Sequence, residues 1–365
     1  MRMSKRNRYS WAAIAGAGLI LVLAAPGPSA QDDSSRLRVN VDLVQLSVAV
    51  TDHKGHYIAG LRPEDFAIYE DKIPEKIASF EEGNATGNRF NEIDVSGGDA
   101  GGRKSDAPEG NEAFAGSGSA GVKIRQVSGA SVFILFDTSN YMYRGFVFAQ
   151  DAIADFVRSM DDVDRLAFYS YSRDLSRATP LTTNHYQVVA GVRHTVAGDD
   201  AALYNSLLLT VKDASRLTGR KAIVVFSNGP DNASSVPPED VAELAQSTGT
   251  IIYIVSTRQA QEEPVSTAAF ERMSRATGGK AYFAGTWRGE KRAFASIRED
   301  LGHLYQISYY PAANANRGWR TISVKLVGHD LKKYHVRTRD GYRLSQQNAI
   351  TTASNEIPMG NFDAK

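Results

Sequence analysis

Six consecutive residues, Ser131-Val132-Phe133-Ile134-Leu135-Phe136, constrain the fold more than any other stretch of the chain. The run does not alternate, so it offers no polar face to water. A strand of this kind is buried on both sides, as in a parallel sheet covered by helices. Parallel neighbours need long crossover connections, usually helical. The downstream pattern supplies them. A helix is predicted over 146–160, with Phe148, Ala152, Phe156 and Val157 on its inner side. A strand over 165–172, a helix over 202–217 and a strand over 222–226 follow. Pro237-Pro238-Glu239-Asp240 opens another helix, where a proline in the first turn does no harm. Then come a strand over 251–255, a helix over 267–277 stopped by Gly278-Gly279, a short strand over 280–284 and a helix over 290–302. This order predicts a doubly wound, mostly parallel α/β domain at 128–303.

The flanking segments read differently. Leu37–Val50, Phe66–Glu70 and Lys76–Phe80 alternate at period two, as do Tyr305–Tyr310, Arg320–Leu326 and Tyr334–Arg339. Tyr57–Leu61 reads as a further extended piece, and Asp71-Lys72-Ile73-Pro74 as a turn. The pieces at 36–83 and 304–344 are each too small to bury a core. Together they predict one small antiparallel β-sandwich with the α/β domain inserted into it. Residues 84–127 are rich in Gly, Ser and Asn and predict a disordered linker; 345–365 predict a disordered tail. At the start, Arg2, Lys5, Arg6 and Arg8 precede an apolar stretch from Trp11 to Ala25 and small residues up to Ala30. This is the plan of a secretory signal peptide over 1–30. The stretch falls short of the ~20 residues of a spanning helix. The expected location is therefore outside a bacterial cytoplasm: secreted, periplasmic or in the envelope, with no integral span after cleavage.

Composition narrows the chemistry. The 365 residues include no cysteine, which removes disulfides, thiolate metal sites and cysteine nucleophiles. Basic and acidic residues number 42 and 41, a net charge of +1, so nothing favours nucleic acid as a partner. The seven histidines show no metal spacing, and neither a Gly-x-Ser-x-Gly elbow nor a phosphate loop is present. No nucleophile has a base at a recognisable spacing, so an enzyme is not expected.

In an open parallel sheet, ligands bind beyond the carboxyl ends of the strands. The candidate loops are Asp137-Thr138-Ser139-Asn140-Tyr141, Gly198–Tyr204 and Ser227–Asn232. An apolar strand ending in Asp-x-Ser, with these later loops, resembles the von Willebrand factor A (vWA) domain. The flanks Leu61–Asp71, Tyr305–Pro311 and Arg337–Tyr342 resemble an exported acidobacterial group related to that family. The resemblance implies a metal-ion-dependent adhesion site, of which Asp137 and Ser139 would be metal ligands. Tyr141, Ala201 and Asn228 stand at the other positions, where the family has serine, threonine and aspartate. Alanine offers no oxygen, a neutral phenol is a poor ligand, and asparagine has no charge. The site is thus expected to be degenerate, with Asp137 and Ser139 bonded internally to Asn228 and Ser227. Asp199, Asp200 and Asp231 are possible compensating carboxylates. No cofactor is expected beyond weak Mg²⁺ or Mn²⁺. Tyr141, Tyr143 and Phe146 are the candidate residues for binding a protein partner. The implied function is an exported interaction or adhesion module. The alternatives are a structural envelope component with the vWA domain as spacer, and a metal-assisted hydrolase.

Overall fold

The computed structural model describes residues 43–83, 129–257 and 264–344. The leader, linker and tail expected at 1–30, 84–127 and 345–365 lie outside the described residues. At the centre is a six-stranded sheet in the order β10-β9-β8-β5-β6-β7. Its strands are β5 (Ser131–Asp137), β6 (Arg165–Tyr171), β7 (Leu175–Thr182), β8 (Lys221–Ser227), β9 (Ile251–Thr257) and β10 (Ala281–Ala284). All pair in parallel except β7, an antiparallel edge strand. Every residue of β5 is buried, as its unbroken apolar run requires.

Helices cover both faces. α1 (Phe146–Ser159), α2 (His185–Arg193) and α6 (Trp287–Gly302) pack on Val132, Ile134 and Phe136 of β5. On the other face, α3 (Leu203–Ser215), α4 (Pro238–Thr248) and α5 (Pro264–Ala276) meet Phe133 and Leu135. Local chemistry sets the helix ends. The Asn184 side chain accepts from the backbone N–H groups of Tyr186 and Gln187 and starts α2. Gly249, in the left-handed region at φ 66°, closes α4.

Three local expectations change. β7 and α2 form between the predicted strand over 165–172 and the predicted helix over 202–217, where no element is expected. Ile73-Pro74-Glu75 is a strand, β3, and the turn before it narrows to Asp71 and Lys72, both at positive φ. Tyr57–Leu61 forms no strand; its extended pairing is a single bridge between Thr51 and Tyr57.

The flanks build two four-stranded sheets. One runs β13 (His335–Arg337), β1 (Val44–Thr51), β11 (Tyr305–Tyr309), β4 (Ile77–Glu82). The other runs β14 (Gly341–Arg343), β12 (Trp319–Leu326), β2 (Phe66–Glu70), β3 (Ile73–Glu75). The first sheet alternates strands from before and after the α/β unit and the second sets β14 and β12 beside β2 and β3, so neither flank has a sheet of its own. Leu46, Val48, Phe66, Ile68, Tyr305, Ile307 and Tyr309 share one core between them.

The final strands also grip the α/β unit. Asp300 of α6 is fully buried and accepts from Tyr57 Oη (2.5 Å), Tyr253 Oη (2.6 Å) and the Arg337 guanidinium (2.5 and 2.6 Å). Burial would raise the Asp300 pKa, but Arg337, Lys280 and the two hydroxyls hold it below the usual carboxylate range. Arg339 donates to the Gln246 carbonyl at the end of α4, Asp340 N to the Ala276 carbonyl at the end of α5 (3.2 Å), and Arg343 pairs with Glu243. Guanidinium groups at helix C-termini complement the unpaired carbonyls there.

Candidate functional site

β5, β6 and β8 end at one edge of the sheet, and their last side chains form a polar row. Asp137 lies in register with Tyr171, and Phe136 with Phe226, which sets Ser227 on the other side of Asp137. Asp137 is fully buried. Its Oδ1 accepts from the Ser139 backbone N–H (2.9 Å) and its Oδ2 from Ser227 Oγ (2.7 Å). Burial pushes the Asp137 carboxyl above its ordinary value, and the hydrogen bonds from Ser139 and Ser227 offset this only in part. Burial beside that carboxyl also pushes the Tyr171 phenol well up.

The three candidate loops meet. Gly198 N–H donates to the Thr138 carbonyl (2.7 Å) and Asn140 N–H to the Asp199 carbonyl (2.8 Å), which joins the first loop to the second. Ala201 N–H donates to Asn232 Oδ1 (2.8 Å), and Asn232 N–H returns to the Ala201 carbonyl (3.0 Å), joining the second to the third. Asn228 Nδ2 donates to the Tyr141 carbonyl, which closes the ring. Asn228 therefore ties down the turn at Tyr141, and the bond between Ser227 and Asp137 is of the internal kind that the sequence leads one to expect.

The other carboxylates have local partners. Asp231 accepts from the backbone N–H groups of Tyr204 (3.0 Å), Ala233 (3.2 Å) and Ser234 (2.9 Å), so it caps the first turn of α3 from a neighbouring loop. Asp200 pairs with Arg173 and accepts from Asn232 Nδ2 (3.1 Å). Asp199 is exposed, and Ala201 is buried. Among the described residues, no group of three His, Asp or Glu side chains is placed to hold a metal ion.

Apolar side chains crowd the outer rim. Tyr141, Tyr143, Val147 and Phe148 are exposed by 39, 75, 63 and 58%, all within eight residues. Phe146, expected among them, is half-buried with its ring 5.4 Å from that of Phe136. Phe148, expected on the inner face of α1, points outward. The inner face is set by Ala149, Ile153, Phe156 and Val157, and Phe148 falls just off that stripe. The exposure of Val147 and Phe148 was missed, and this tighter 3–4 spacing was the signal for it.

Residues 131–291 match the family model of the von Willebrand factor type A domain. The α/β unit has the vWA fold. Among solved structures, BatB from Bacteroides thetaiotaomicron is similar at 14% identity and a TM-score of 0.40, over 47% of this chain and 98% of that one. A von Willebrand factor type A protein from Catenulispora acidiphila is similar at 11% identity and a TM-score of 0.42, over 62% and 72%. The vWF domain of the type V pili tip protein Mfa5 from Porphyromonas gingivalis is similar at 11% identity and a TM-score of 0.42, over 52% and 98%. No curated protein matches the chain. Among the described residues, no helix is long and apolar enough to cross a membrane.

Proposed function

We propose that this chain is an exported, non-enzymatic interaction module whose vWA rim binds a protein partner without a divalent cation. The carrying observation is the pairing of a closed polar floor with an open apolar rim. Both oxygens of Asp137 are taken by Ser139 N–H and Ser227 Oγ, while four apolar side chains from Tyr141 to Phe148 face solvent. Hard cations such as Mg²⁺ need several convergent oxygens and dehydrate reluctantly. Here Asp231 and Asp200 are occupied by backbone N–H groups and by Arg173, and Ala201 has no side-chain oxygen. The donor set does not fit the metal, and the site is read as degenerate. Exposed tyrosine and phenylalanine grouped on one rim are the residue types that anchor protein interfaces.

Export rests on the basic, apolar and small-residue order of 1–30 and on flanks resembling the exported acidobacterial group. A photo-crosslinking side chain placed at Tyr143, compared with one at Val163 below the opposite sheet edge, tests the reading in native envelopes. A partner captured from position 143 alone, with chelator present, supports it. Equal capture from both positions, or capture abolished by chelator, refutes it.

A further inference from the structure

Asn228 is followed by Gly229, and this is the sole Asn-Gly pair in the chain. The backbone nitrogen after an asparagine is a nucleophile within reach of its side-chain carboxamide. Glycine, lacking Cβ, hinders that approach least. Gly229 also has φ +116°, a conformation that favours glycine. Its N–H donates to Ser227 Oγ (3.2 Å), and Ser227 Oγ donates in turn to Asp137 Oδ2 (2.7 Å). The backbone amide is thus aligned on a hydroxyl–carboxylate pair, the relay by which a base removes a proton from a weak nucleophile. The described asparagines Asn140, Asn184, Asn205, Asn232, Asn314 and Asn316 are each followed by a bulkier residue.

We propose that Asn228 is a self-modifying site, at which the Gly229 backbone nitrogen closes on Asn228 Cγ and the asparagine becomes aspartate through a cyclic imide. The N–Cγ bond forms as the Gly229 proton passes into the Ser227 relay. The Cγ–Nδ2 bond then breaks, and the nitrogen leaves as ammonia carrying that proton. Solvent water opens the ring: attack at Cγ gives aspartate, and attack at the backbone carbonyl gives isoaspartate. One water is consumed and one ammonia released, with no change of oxidation state. The product has no N–H to donate to the Tyr141 carbonyl, and its carboxylate repels that oxygen. The turn carrying Tyr141 and Tyr143 then loses its tie to residue 228. The modification does not depend on the binding role proposed above.

The test incubates the purified full chain at mildly alkaline pH and maps peptides by mass spectrometry, with Asn228→Asp as the standard for the product. The native chain should convert Asn228 ahead of every other described asparagine. Ser227→Ala should slow that conversion on the order of 10²-fold, the usual contribution of a positioned base. In denaturant the two chains should convert at equal rates, because the relay exists only in the fold. Should Ser227→Ala alter the circular dichroism, Ser227→Thr, which keeps the hydroxyl, should retain the fast conversion. An Asn228 that stays amidated in the native chain while converting in the denatured one would overturn the proposal. So would a native rate indifferent to Ser227→Ala in a folded protein.

Discussion

Replacing Asp300 by alanine should destabilise the whole chain, not α6 alone. Asp300 is fully buried and is the common acceptor for Tyr57, Tyr253 and Arg337, with Lys280 Nζ 3.7 Å away. Truncation leaves the Arg337 guanidinium without its carboxylate and removes the acceptor of two tyrosine hydroxyls, of which only Tyr57 keeps a partner, Lys280 Nζ. Breaking one partner of a buried ion pair typically costs about 3–5 kcal/mol. At roughly 2–4 °C per kcal/mol for a domain of this size, Tm should fall by about 6–20 °C in a scanning calorimeter. Tyr57 and Arg337 belong to the sandwich flanks, and Asp300 and Tyr253 to the α/β unit. The loss should therefore appear as earlier unfolding of both units together. Arg337→Ala should behave alike, and the double variant should lose less than the sum, since the two groups form one interaction. A Tm within about 2 °C of the parent, well below the fall set by that scaling, or single losses that simply add, would refute this contact between the units.

The rim makes its own predictions. Tyr143→Ala, at an exposed position, should change stability by no more than about 0.5 kcal/mol in denaturant titration. Phe136→Ala, in the core beneath, should cost about 3–5 kcal/mol. A calorimetric titration of freshly purified protein with Mg²⁺ or Mn²⁺ should give no binding heat at micromolar metal; a saturable heat there would mean that oxygens now bonded internally reopen. Two aspartates should respond to pH with opposite sign. The Asp300 pKa is held low, so its stabilisation is complete at neutral pH and is lost as pH falls through the lowered value. The Asp137 pKa is raised, so its contribution is present in acid and declines as pH rises through the raised value. Asp137→Asn should flatten the second slope and leave the first, measured as Tm against pH.

The doubly wound core was legible because its strands carry unbroken apolar runs, and β5, β8 and β9 are buried on both faces as such runs demand. The interleaved sandwich was legible from two alternating fragments, neither large enough to stand alone. β7 and α2 were not. The edge strand shows solvent most of its length and contains Pro180, and α2 buries only Val188 and Val192, so neither carries a strong period. At the site, the meeting of the three loops follows from where the strands end. What Asn228 and Asp231 hold does not, because their partners are the Tyr141 carbonyl and backbone N–H groups, to which residue type gives no clue. Nor does the clasp at Asp300, whose partners are Tyr57, far upstream, and Arg337, in the final strands.

The most direct test is the affinity of the captured partner for the full chain, measured with Mg²⁺ and again with excess chelator, on the parent and on Tyr143→Ala with Phe148→Ala. Equal Kd with and without metal, and at least tenfold weaker binding by the double variant, equivalent to about 1.4 kcal/mol, is the predicted result. Binding that vanishes with chelator while tolerating the loss of both aromatic side chains would contradict it.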